Sequence, residues 1–340
     1  MKTALKAILG FFVVMTTLTL IAVGGGAYWA HQEFHKAGSF DQPIEILIPA
    51  GSSIADISEI LIKHGALEDN ASTSLIFQYG GRITDQATKL KAGEYEIPAH
   101  ASIQEILNLL ESGKVIQRQI TIREGLTNWE IKQLLLAHEG LVKTDDVPVK
   151  TEGRYLPETY SYQKGDTAAD IMTRMNIALE KVLDEAWEKR VPDLPLKTKE
   201  EALILASIIE KETAVPSERR RVAGVFINRL RRGIALQTDP TVIYALTMGK
   251  HKNDGKGPLG RRLLKKDLQV DSPYNTYKYP GLPPTPIANA GKASIEAALN
   301  PEEHNYIYFV ADGTGGHAFA KTLAEHNANV AKWRKIRKSQ

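Results

Sequence analysis

The chain opens on a run without charge: the 24 residues from Ala7 to Ala30 include Phe11-Phe-Val-Val-Met15 and no acid or base. A helix of about 20 such residues crosses a bilayer. The run is apolar on every face, unlike the one-sided stripe of an ordinary surface helix. A secretory signal has an apolar stretch of only about 7 to 15 residues, so the length favours an uncleaved anchor. Residues 7–30 are therefore expected to span the membrane, behind a short cytoplasmic tail at 1–6. Lys2 and Lys6 precede the run and hold that tail inside, while Tyr28 and Trp29 suit the far interface. Everything after residue 30 is then expected outside the membrane.

Past a polar linker ending near Gln42, a strand rhythm followed by a helix rhythm appears three times. Ile44-Glu-Ile-Leu-Ile48 leads through Pro49 to Ser53-Ile-Ala-Asp56 with Ile57, Ile60 and Leu61. Tyr95-Glu-Ile-Pro98 leads to Ser102-Ile-Gln-Glu105 with Ile106, Leu109 and Leu110. Ile120-Thr-Ile122 leads to Thr127-Asn-Trp-Glu130 with Ile131, Leu134 and Leu135. In each, the hydroxyl can cap the amide three residues on, and the acid can reach back to the capping residue. The apolar positions after the cap then form one helical stripe. The spacing predicts helices that begin just after Ser53, Ser102 and Thr127, with Gly51 and Gly125 in two of the turns. A strand, a tight turn and a short capped helix resemble the small LysM module, which recognises N-acetylglucosamine polymers. Residues 44–140 are thus expected to form a LysM-like α+β subdomain, with either glycan binding or scaffolding as its role.

Residues 140–197 read as a transition. Turn-rich Glu152-Gly-Arg-Tyr-Leu-Pro-Glu-Thr-Tyr160 precedes a helix predicted from Ala168 to Trp187, and Pro192 and Pro195 then break the chain. Thr198-Lys-Glu-Glu201 is a further capping box, and Ala202-Leu-Ile-Leu-Ala-Ser-Ile-Ile209 is apolar on nearly all faces. That helix should lie deep and end on Glu210 and Glu212. Pro216 disfavours helical geometry in the residue before it. Ser217 is a suitable N-cap for a second helix with the stripe Val222, Phe226 and Leu230 and a stop at Gly233. Glu218 is expected at that helix's first position, at an elbow where a side chain can reach a cleft. An acid there can also be simply a helix-stabilising choice.

Composition acts mainly by exclusion. Of 340 residues, 43% are apolar and 24% charged, an ordinary globular balance. The net charge of +3 is too small over this length to argue for a nucleic-acid partner. Zero cysteines remove disulfides, thiolate metal sites and a Cys nucleophile. His304, His317 and His326 lack metalloprotease spacing, and Gly313-Thr-Gly-Gly316 precedes no lysine in phosphate-loop spacing. No nucleophile elbow of the GxSxG kind occurs. No metal or other cofactor is implied. Lys265-Lys266 and the arginine pairs read as a solvated basic surface, able to face anionic lipid or acidic peptides.

The stretch Ala206-Ser-Ile-Ile-Glu-Lys-Glu-Thr-Ala-Val-Pro-Ser-Glu218 closely resembles the endolytic murein transglycosylases of the YceG-like group. The segments Leu236-Gln-Thr-Asp-Pro-Thr-Val242, Ser272-Pro-Tyr-Asn-Thr-Tyr277, Gly281-Leu-Pro-Pro-Thr-Pro-Ile-Ala-Asn289 and Asp312-Gly-Thr-Gly-Gly-His-Ala-Phe319 resemble the same family in the same order. Thr285 stands where the pattern has Gly. The resemblance covers roughly residues 44 to 335, with the anchor matching by position. It implies an α+β fold: an N-terminal transmembrane helix, a LysM-like part, and a mainly helical α+β catalytic domain over 150–340 with Glu218 as its catalytic residue. It further implies non-hydrolytic cleavage of the bond between N-acetylmuramic acid and N-acetylglucosamine in nascent strands, with 1,6-anhydro ends. The implied setting is the inner membrane, the catalytic domain being periplasmic and in company with peptidoglycan synthases. The rival of another class is a non-catalytic, membrane-anchored glycan-binding scaffold.

One acid suffices for that chemistry, because the sugar's own C6 hydroxyl replaces water and the same group can give and then take a proton. A helix N-terminus and Arg219, Arg220 and Arg221 favour its ionised form, whereas a general acid must hold a proton. Glu210 and Glu212 are candidates for tuning the site, or else for pairing with arginines such as Arg229. The region from Asn253 to Gly291, with five prolines between Pro273 and Pro286, is a long loop of the kind that usually carries function. Tyr274 and Tyr277 there could stack on sugars, and Asn275 and Asn289 could bind acetamido groups. Gln237, Asp239 and His317 are further candidates for the same cleft.

Overall fold

The computed structural model describes residues 2–144, 147–250 and 258–339, so the first part of the loop expected from Asn253 lies outside the described residues. The chain divides into two compact units, Met1–Arg118 and Gln119–Gln340. The mixture of helices and short strand pairs is the expected α+β class.

The first unit begins with helix α1 (Lys2–His35), which contains an apolar span, Ile8–His35, long enough to cross a membrane. The helix runs past the expected end at Ala30, because Phe34 is drawn into the unit's core and is only 7% exposed. Strand β1 (Ile44–Ile48) pairs antiparallel with β2 (Gly93–Ile97), Ile46 opposite Tyr95. Between the strands lie α2 (Ile54–Lys63) and α3 (Ala71–Ile83), and α4 (Ile103–Ser112) follows. Ser53 and Ser102 make the predicted capping boxes with Asp56 and Glu105. Ile57, Leu61, Ile106 and Leu110 are buried as the spacing requires, around Phe77 and Tyr95.

The third strand-helix segment belongs with the second unit, against the expected boundary at 140. Strand β3 (Arg118–Thr121) is followed by α5 (Asn128–Ala137), capped by Thr127 and Glu130 as predicted. It pairs with β4 (Thr159–Tyr162), while Ile131 and Leu135 share a core with Ile171 and Met175 of α6 (Ala168–Glu188). Local pattern fixed the helix but could not say which partner its apolar stripe would find.

The second unit's main core surrounds α7 (Lys199–Glu212), in which every residue from Ala202 to Ile209 is buried. Thr198 caps it, but Glu201 reaches the amide of Lys197 rather than that of Thr198, so the expected reciprocal box does not form. Packed around it are α8 (Arg219–Arg231), α9 (Asp239–Thr247) and α10 (Lys292–Leu299). Strand β5 (Tyr308–Ala311) and β6 (His317–Ala320) form an antiparallel hairpin, and α11 (Leu323–Ser339) closes the chain. The described part of the long loop, 258–291, has only a 3₁₀ turn at Asp267–Gln269. Arg261 grips both carboxylate oxygens of Asp267, holding that carboxyl down at about 2.

Candidate active site

The elbow after α7 begins with Thr213, whose hydroxyl accepts the amide of Val215 at 3.1 Å. Pro216, Ser217 and Glu218 form one 3₁₀ turn, closed by the Glu218 amide donating to the Val215 carbonyl at 3.1 Å. Glu218, not Ser217, is the N-cap of α8, and it makes no side-chain capping bond. The shift has a cause: proline's fixed φ suits the first position of a helical turn, so the turn starts at Pro216 itself. The Glu218 carboxyl is left free of its own helix and turns to β6. Its Oε1 accepts the His317 backbone amide at 2.9 Å, and its Oε2 lies 2.7 Å from His317 Nδ1. Both side chains remain 15% exposed, so the pair is sheltered yet reachable.

The three arginines after Glu218 are engaged elsewhere. Arg219 lies 3.5 Å from Glu124 and 3.7 Å from Glu210. Arg220 donates to the Asn300 carbonyl at 2.7 Å, and Arg221 pairs with Glu302 at 2.9 Å. Each of the three guanidinium groups thus has another partner, while the charge of Arg221 still reaches Glu218.

His317 owes its place to the hairpin. Asp312 Oδ1 accepts the amide and hydroxyl of Thr314, and the Asp312 amide donates to the Gly316 carbonyl at 3.0 Å, which closes the turn. A Cβ on Gly316 would lie 2.7 Å from Glu218 Oε1, so only glycine lets the carboxyl approach so closely. Helix α8 anchors the strand: Asn228 donates to the carbonyls of His304 and Tyr306, and Arg229 to those of Ile307 and Leu236. The Phe309 ring meets Phe226 and His317 edge-on, at 5.8 and 5.3 Å between centroids. One helix therefore begins at Glu218 and also holds the strand pair that carries its partner.

A second carboxyl adjoins this pair. Burial pushes Glu212 above the usual carboxylate range, with Asp239 raising it further while its bond from Thr238 and the charge of His317 oppose the rise. The Thr238 hydroxyl donates to Glu212, and the Thr238 amide donates to Thr276 Oγ1 at 3.1 Å. Just before it, Gln237 holds a left-handed φ of 50°, a conformation uncommon outside glycine, and its side chain is exposed. Asp239 accepts the Tyr277 hydroxyl at 2.7 Å, and burial raises the Tyr277 phenol. Glu212, Asp239 and Tyr277 thus form one polar cluster, and through Glu212 it is coupled to His317, while Gln237 is their neighbour along the chain.

Other candidates do different work. Glu210 accepts the Gly291 amide at 3.0 Å and faces Arg219 and Glu124, whose carboxyl is raised by burial and by Glu210 itself. Asn275 and Asn289 are fully buried. Asn275 donates to the carbonyls of Leu268 and Val270 and accepts from the Tyr277 amide. Asn289 bonds Leu126, Asn128 and Tyr155. Both expectations of acetamido binding are corrected, since their amide groups are consumed in holding loops. Tyr274 packs against Tyr244 and its hydroxyl meets Thr285 Oγ1 at 2.8 Å, so it braces the loop rather than presenting a stacking face. Thr238, Asn228 and Gly316 were not singled out by sequence. Thr238 and Gly316 lie inside the quoted segments, but nothing local marks a hydroxyl or a glycine for a partner far along the chain.

The YceG-like family model matches residues 46–332. An endolytic murein transglycosylase from Bacillus subtilis is 34% identical over 320 residues, spanning 85% of this chain and 84% of that protein. One from Streptococcus pneumoniae serotype 2 is 28% identical over 376 aligned positions, spanning 94% of this chain and 64% of that protein. A YceG-like protein of known structure from Listeria monocytogenes is 34% identical, with a TM-score of 0.47 and coverage of 85% of this chain and 99% of that one.

Proposed function

The chain belongs to the YceG-like family, and from that premise we propose that it is a membrane-anchored endolytic murein transglycosylase with Glu218 as its acid and base. The observation that carries this reading is the Glu218 carboxyl, unused for capping its own helix, with each oxygen met by His317. In the reaction, protonated Glu218 gives its proton to the glycosidic oxygen as the bond from C1 of N-acetylmuramic acid breaks. The resulting carboxylate takes the proton of that sugar's C6 hydroxyl while O6 bonds to C1. The acid is regenerated, no water is consumed, and the product end is a 1,6-anhydro sugar. Ordinary glycosidases need a second carboxylate to activate water or attack C1; here Glu212 is bonded to Thr238 and serves the electrostatics of His317 instead.

His317 is the orienting residue, fixing the carboxyl at both oxygens. Gln237, Asp239 and Tyr277 supply polar groups for the glycan beside it. The β1–α2–α3–β2 order of the first unit, two helices between paired antiparallel strands, supports the LysM-like reading and N-acetylglucosamine binding there. Helix α1 is the single-pass anchor of an inner membrane. Lys2 and Lys6 set its N-terminus in the cytoplasm and so place the catalytic unit in the periplasm, beside the synthases that make nascent strands.

Full-length protein in detergent, incubated with isolated peptidoglycan, should release glycan fragments, and Glu218→Gln should lower the rate by at least about 10²-fold. Unchanged release by that variant would remove Glu218 from the chemistry and leave a glycan-binding scaffold as the better account of its surroundings.

A further inference from the structure

Helix α3 has two faces with different fates. Phe77 and Gly81 are buried in the core of the first unit. Leu75, Tyr79 and Ile83, spaced four apart on one stripe, are exposed, Ile83 at 84%. A contiguous apolar stripe of this kind marks a surface that meets something. Within the whole helix the only charged side chain is Arg82, whose guanidinium lies over the Tyr79 ring at 5.4 Å from its centroid.

The neighbour of this stripe is the anchor. Gly80 lets α3 come close to α1, since a Cβ there would lie 2.2 Å from the Phe34 ring. From that crossing an apolar groove, lined by Leu75, Tyr79 and Ile83 on one side, extends along α1 as far back as Ala27. Its α1 wall is Ala27, Ala30, His31, Phe34 and His35. Seven residues of helix cover about 10 Å, so the groove reaches along the axis to the level of Tyr28 and Trp29, the aromatic pair expected at the membrane surface.

We infer that α3 is an interfacial helix: its Leu75–Tyr79–Ile83 stripe lies in the outer leaflet of the bilayer that α1 crosses, with Arg82 at the level of the lipid phosphates. This inference rests on the reading of α1 as the anchor. Lipid is the occupant because the groove is continuous with the membrane-spanning surface of α1. The single charge of α3 is of the sign that anionic headgroups attract. An apolar face of this type sinks about 5–10 Å into the headgroup boundary. The first unit is then held by two contacts, a spanning helix and a lying one, which fix its tilt on the membrane.

The chain has no cysteine, so single-cysteine labelling needs no background removal. Ile83→Cys, Glu59→Cys on the exposed face of α2, and Val14→Cys within the anchor are labelled in the full chain with an environment-sensitive fluorophore. They are then reconstituted at low density in phosphatidylethanolamine–phosphatidylglycerol vesicles carrying a shallow spin-labelled lipid. The expected result is blue-shifted emission at residue 83, quenched by the lipid several-fold more strongly than at residue 59. Water-like emission at 83 with a lipid-buried probe at 14 would overturn the interfacial helix while leaving the anchor intact. Shielding at 83 that grows with protein density would overturn it in favour of a second copy of this chain. A water-exposed probe at 14 would overturn the anchor reading itself, and with it this inference.

Discussion

At Gly316 the tightest constraint on the site concerns a single hydrogen. An added methyl would lie 2.7 Å from Glu218 Oε1, and the atom it displaces is the far end of a side chain, not backbone. Gly316 also lacks a left-handed φ, so alanine brings no backbone strain. Gly316→Ala should therefore leave thermal stability within about 0.5 kcal/mol while lowering the rate of glycan cleavage by about 10²-fold. Parallel melting and activity assays separate the two effects. His317→Ala should cost a similar factor in kcat with little change in KM, and His317→Asn, whose amide can still donate near Nδ1, should recover part of it. Glu212 carries a pH signature. Its carboxyl is raised by burial, so its contribution to stability is full below the ordinary glutamate range and is lost as pH rises through the raised value. Glu212→Gln cannot ionise and should match the parent's melting temperature at pH 5 but exceed it at pH 8. Glu218 was legible in the sequence because Pro216 and the family pattern mark it. Its contact with His317, 99 residues away, was not, because the hairpin that delivers it is a tertiary event.

For the elements, the helix starts were the most legible feature, since a capping box is a local contract between residues three apart. Ser53, Ser102 and Thr127 all keep it. Their costs should differ, because the Thr127 hydroxyl also donates to the Gly249 carbonyl in a buried setting. Ser53→Ala should cost about 1 kcal/mol, and Thr127→Ala about 2–3 kcal/mol, read by urea denaturation of each variant. Where the pattern slipped, a neighbour outcompeted the cap. Pro216 began its own turn before Ser217, and Glu201 found the Lys197 amide. Asn275 and Asn289 illustrate the opposite failure: both were candidates for binding acetamido groups, yet both amides are buried and fully bonded. Polar residues that hold a loop together and those that meet a ligand look the same in one sequence.

Across the whole molecule, the chain pairs an apolar helix with two compact units, and the boundary falls at Arg118 rather than near residue 140. Hydrophobic rhythm predicted each strand and helix of the third segment but not its allegiance, which β4 and α6 decide. Helix α1 likewise ends by joining a core. Phe34→Ala should cost the first unit about 3–5 kcal/mol, seen as lost hydrogen-exchange protection of the paired β1 and β2 amides. The central claim, that one acid performs cleavage without water, is tested most directly by digesting peptidoglycan with the full-length protein in oxygen-labelled water and weighing the fragments. The account predicts anhydro ends, one water lighter than reducing ends and free of label, all absent with Glu218→Gln. Reducing ends carrying the labelled oxygen would contradict it.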